Sequence, residues 1–111
     1  MNTLLHLSFR NMDHAASIER LVRDRLESLE RLDARLVSCH ATIEAMPHPG
    51  APASHFHVTL ALTLPGCELI VSRGSKDEHD ATDALTAVRR AFDTLTRQLE
   101  EHHAKALATP H

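Results

Sequence analysis

The chain has 111 residues, a formal net charge of −3 with its ten histidines neutral, and three Phe as its only aromatic residues. That length suits one domain with a single core, which must be built from Leu, Val, Ile and Ala. The balance of charge argues against strong, unspecific binding to DNA or RNA, and no apolar run approaches the roughly 20 residues of a membrane span.

The start, "MNTLLHLSFRN", has neither the basic region nor the long apolar stretch of a signal peptide, so a cytoplasmic protein is expected. Cys39 and Cys67 cannot by themselves build a disulfide framework and read as free core thiols. With a histidine pKa of about 6.5, roughly a quarter of the imidazoles are charged at pH 7 and about three quarters at pH 6. Mild acidification therefore carries the net charge from near zero to roughly +4.

In chain order, "TLLHLSFR" alternates as a strand with Leu5, Leu7 and Phe9 on one face. "NMD" follows as a turn, with Asp13 in position to cap a helix. "HAASIERLVRDRLESLERL" then sets Ile18, Leu21, Val22, Leu26, Leu29 and Leu32 on one stripe of an amphipathic helix. "LVSCHATIEAM" returns to period two, with Val37, Cys39, Ala41, Ile43 and Ala45 on the apolar side. "PHPGAPAS" is a loop. "FHVTLALTL" and "CELIVSR", joined by "PG", form a hairpin whose inward residues include Phe56, Val58, Leu60, Leu62, Leu64, Cys67, Leu69 and Val71. After the polar "GSKDEHD", Asp80 as N-cap and Asp83 near the N-terminus introduce a last helix to about Ala106. Its stripe is Ala84, Leu85, Val88, Ala91, Phe92, Leu95 and Leu99.

The order β-α-β-β-β-α gives an α+β fold. A helix between the first two strands makes them a parallel pair with a right-handed crossover, and the other two are added as a meander. Two helices then pack on one face of a four-stranded mixed sheet, and the other face meets solvent. Arg10 and Arg73, at the C-terminal ends of the first and fourth strands, are expected along one rim. One domain covers 1–111, with its core at about 3–106.

The segments "FRNMDH", "RLESLERLDARLVSC", "HVTLALTLPGCELIVSR" and "AFDTLTRQLEEHHAK", in this order, resemble the ribosome hibernation promoting factor family. That family includes the ribosome-associated inhibitor A proteins, once called sigma-54 modulation proteins. The resemblance runs from about Leu5 to Lys105 and is to the short form, without a second dimerisation domain. It implies a bacterial protein that binds the small ribosomal subunit where mRNA and tRNA pass and stops translation in stress or stationary phase. It also implies rRNA as the partner, with no cofactor and no small-molecule substrate. In the last helix Arg97 and Lys105 keep the family's basic positions, while Thr94, Glu101 and His103 replace others and Leu85 stands where Tyr is common.

RNA binding needs cations free to neutralise phosphates. Glu19 can pair with Arg23, Glu27 with Arg31, and Asp93 with Arg89 or Arg97, one turn apart, although such exposed pairs are weak. Arg25 has no acid three or four residues away on its helix. The candidate RNA-binding residues are Arg10, Arg25, Arg73, Arg90, Arg97 and Lys105. His55 and His57 share one side of a strand, and His6, His40 and His57 are expected on the open sheet face. That face reads as a polar, solvent-exposed surface, with metal binding or low-pH contact to RNA as alternatives. Cys39 and His40 point to opposite faces, Glu100 and Glu101 do not face each other, and no Gly-rich phosphate loop is present, so no enzyme is expected. Two other classes stay open, a protein-interaction module of the same fold and a His-lined metal-binding domain. The strands at the sheet edges can also support a homodimer.

Overall fold

A computed structural model describes residues 3–46, 55–73 and 84–108. Its elements are β1 (Leu4–Arg10), α1 (Ala16–Leu32), β2 (Ser38–Met46), β3 (His55–Leu64), β4 (Cys67–Arg73) and α2 (Ala84–Ala108). The sheet order is β1-β2-β3-β4. The β1–β2 pair is parallel, and the β2–β3 and β3–β4 pairs are antiparallel. This is the expected α+β arrangement: β1, β2 and β4 run one way and β3 the other.

The register explains the single apolar face. Leu5, Cys39, Leu62 and Leu69 align in one row across the sheet, and Leu7, Ala41, Leu60 and Val71 in the next. Ile18, Val22, Leu26 and Leu29 of α1, with Val88, Ala91, Phe92, Leu95 and Leu99 of α2, close over these rows and are buried. Each of the Val, Leu, Ile and Phe side chains contributes about 1.5–3 kcal/mol by leaving water. The hairpin turn is Pro65-Gly66, with Leu64 opposite Cys67 and Gly66 at φ 74°. A negative φ at Pro followed by a positive φ at Gly is the type II pattern, for which this dipeptide is suited.

Several expectations change at the ends of elements. Asp13 does not cap α1: the N-cap is Ala15, without a side-chain cap. Asn11 takes a left-handed φ of 57°, and the chain stays extended at Ala15 before the helix begins. Leu32 is exposed at the last position of α1, and Leu36 is buried instead. The chain turns between them at Asp33, whose backbone N–H donates to the Leu29 carbonyl. Val37 is exposed, one residue before β2 starts. Cys67 faces the helices but is only half-buried, whereas Cys39 is fully enclosed. The expected loop at 47–54, the expected N-cap Asp80 and the first-turn acid Asp83 lie outside the described residues. No helix among the described residues is long and apolar enough to cross a membrane.

Candidate nucleic-acid interface

On the helical side of the sheet, α1 and α2 lie side by side and run in the same direction. Arg25 of α1 reaches Asp93 of α2 (Nη1 to Oδ1, 3.4 Å). Further along both helices, Asp33 meets His103 (Oδ2 to Nε2, 2.9 Å). Each helix carries near-balanced charge. The α1 sequence has four Arg and four acids, and α2 has three Arg and one Lys against three acids.

The core stripe of α2 turns Arg90, Arg97 and Glu101 outward, Arg90 half-buried and Arg97 exposed. Arg90 and Arg97 are two turns apart on one face, roughly 10 Å along the axis. From the sheet side, Arg73 donates from Nη1 to Thr94 Oγ1 at 3.1 Å. Thr94 in turn donates to the Arg90 carbonyl at 3.1 Å. From the other side comes Arg25. A guanidinium therefore approaches the middle of α2 from each flank, and two more lie on its crest.

Of the six sequence candidates the structure gathers four, Arg25, Arg73, Arg90 and Arg97. Lys105 lies exposed two turns beyond Arg97, with Glu101 between them on the same face. Arg10 is separate. It ends β1 on the rim shared with Arg73, but the two project from opposite faces: Phe9, Ile43, Val58 and Arg73 form one row, and Arg10 pairs with Glu44 in the next position. Alternation along each strand already carried this signal, because Arg10 is out of phase with Phe9 while Arg73 is in phase with Val71. One pairing also differs from the sequence reading. Asp93 bonds Arg25 on the other helix rather than Arg89 or Arg97, and Arg25 is thereby partnered. The one-turn pairs Glu19–Arg23 at 3.0 Å and Glu27–Arg31 at 3.8 Å form as expected.

The polar cluster that spacing did not reveal is Asp33 with Arg35 and His103. Asp33 is the buried polar residue among the described residues. Its carboxylate accepts from the backbone N–H of Arg35 at 2.8 Å, and from the Arg35 Nε and Nη2 at 3.1 and 3.2 Å. The Arg35 guanidinium, more than burial or His103, sets its protonation and holds the carboxyl well below the usual carboxylate range. The cluster fixes the end of α1 to α2.

Behind the interface, burial pushes the Cys39 thiol up to about 11, which makes it a poor nucleophile. On the other side of the sheet the exposed rows are polar. His6 and His40 stack with ring centroids 4.4 Å apart. His57 Nε2 lies 2.9 Å from Ser72 Oγ. The three imidazoles thus take the open face, as alternation predicted.

The family described as sigma 54 modulation protein / S30EA ribosomal protein matches residues 5–106. The chain belongs to this family. It is a family of ribosome-associated modulation factors and not of enzymes. Among solved structures, the N-terminal domain of Protein Y from Thermus thermophilus is similar at TM-score 0.68 and 22% identity, over 92% of this chain and 99% of that one. A ribosomal subunit interface protein from Coxiella burnetii is similar at TM-score 0.72 and 15% identity, over 92% and 99% respectively. At these identities the likeness establishes the shared fold. None of the curated proteins matches the chain.

Proposed function

We propose that this protein is a cytoplasmic translation inhibitor that binds the small ribosomal subunit through rRNA under stress or in stationary phase, with the outer side of α2 as its contact surface. The observation that carries the proposal is the gathering of Arg25, Arg73, Arg90 and Arg97 about the middle of α2. Family membership and the ribosomal subunit interface protein of the same fold support the choice of partner. The acids interleaved with these arginines make a moderate contact, since each exposed pair is worth less than about 1 kcal/mol and a phosphate can replace it.

Cosedimentation with small subunits across a salt series tests the proposal. Four phosphate contacts to single-stranded or irregular RNA predict that log K falls against log salt with a slope of about −3. Absence of binding at low salt would overturn it. The near balance of acids and bases on both helices favours, as second reading, a protein-interaction module of this fold. Such a module would bind a protein partner with no ribosome pelleting.

A further inference from the structure

The open face of the sheet contains a histidine pair that the helical interface does not use. His6 of β1 and His40 of β2 are directly paired in register on parallel strands, and both are exposed. Their rings stack at a centroid distance of 4.4 Å with an interplanar angle of 6°. Among the described residues neither ring forms a hydrogen bond, whereas on the same face His57 is engaged by Ser72 and His55 also has a partner. The side chains next to the pair on this face are Leu4, Ser8, Ser38, Thr42, Ala61 and Thr63, none of them charged, and Glu68 of β4 lies one row away across β3. Arg10 and Glu44 lie two rows further on.

We propose that His6 and His40 form a two-ligand, exchangeable binding site for a divalent transition ion of the nickel, copper and zinc class. Neutral imidazole suits these ions, and two imidazoles fixed side by side on adjacent strands act as a chelate. With metal–nitrogen bonds near 2.0–2.1 Å, the two donor nitrogens must come to roughly 3 Å apart. Exposed rings reach this by tilting about a terminal torsion that is broad in histidine. No group of three or more His, Cys, Asp or Glu converges among the described residues, so water fills the remaining positions. The site is therefore open and labile, unlike a closed structural zinc site.

The test is a titration of the full chain with Ni²⁺ at pH 7.5, followed through the histidine ring signals by NMR. The ring signals of His6 and His40 are expected to broaden together at substoichiometric metal, ahead of those of the other histidines. Calorimetry on His6→Gln or His40→Gln should show affinity lowered roughly tenfold or more, because the second ligand no longer acts at high effective concentration. His57→Gln and His102→Gln should leave that affinity unchanged; the second probes the Cys67 Sγ to His102 Nδ1 contact at 3.9 Å. Broadening that begins at other histidines, or an affinity insensitive to His6→Gln, would overturn the proposal and leave the pair as a stacking contact.

Discussion

His103 of α2 places its Nε2 2.9 Å from Oδ2 of Asp33, a residue seventy positions earlier in the chain. This contact and the two-pronged grip of Arg35 leave a carboxylate sealed at the junction of two helices, charged and fully occupied.

Asp33→Asn removes that charge and part of its bonding. The expected loss is about 1–3 kcal/mol, at the lower end because Arg35 itself is exposed. The pH dependence has a definite sign. A carboxyl held below its unfolded value stabilises the fold fully above about pH 4, and that contribution is lost as pH falls towards its lowered folded value. Urea denaturation at several pH values should show the wild type losing stability below about pH 4 more steeply than the variant.

The Arg25–Asp93 pair separates affinity from stability. Both side chains are more than a third exposed, so Asp93→Asn should change stability by less than about 1 kcal/mol. The same change frees Arg25 and removes a negative charge from the proposed interface, so small-subunit binding should tighten. Arg97→Glu should weaken it and lower the magnitude of the salt slope by about 0.7–0.9, the share of a single phosphate. Pelleting assays on the two variants and the wild type would measure both effects, and equal affinity for all three would place the interface elsewhere.

The hairpin turn offers a backbone test. A Cβ on Gly66 meets nothing within 4 Å, so space is not the obstacle. The φ of 74° is the obstacle, and Gly66→Ala should destabilise by about 1–2 kcal/mol. Gly66→Asn, more tolerant of this region, should cost less in the same thermal melt.

The two thiols should differ in reactivity. Cys39, enclosed and with its pKa pushed up to about 11, presents roughly one thiolate in a thousand at pH 8. Half-buried Cys67 should react with a thiol reagent in the native state, and Cys39 only on unfolding. Mass spectrometry of the singly labelled protein identifies which thiol reacted. Labelling of Cys39 first would contradict the enclosed position.

Much of the fold was legible because alternation and helical spacing are local. The apolar face of each strand, the Pro65-Gly66 turn and the buried stripes of both helices all follow from residues close together in sequence. The one-turn pairs of α1 were legible for the same reason. The partner of Arg25 was not, since Asp93 is 68 positions away and meets it only once both helices are seated on the sheet. The Asp33 cluster is likewise a product of docking, and no periodicity announces it. Leu32 misled because the helical stripe continues in sequence to the point where the helix stops. Leu36, past the turn, takes the buried place. Among the candidate arginines, type and helix were readable, but which of them converge depended on Arg73 reaching over to Thr94.

The direction of the outer strands restricts how copies of this chain can join. β1 and β4 are the two margins of the sheet and run parallel to each other. A contact between like margins, β1 with β1 or β4 with β4, is related by a two-fold axis, makes an antiparallel seam and closes after two molecules. A contact of β1 with β4 of the next molecule makes a parallel seam and leaves the same margins free at both ends. The first yields a finite dimer, whereas the second continues molecule by molecule into an open filament, or a ring where the rotation between neighbours closes.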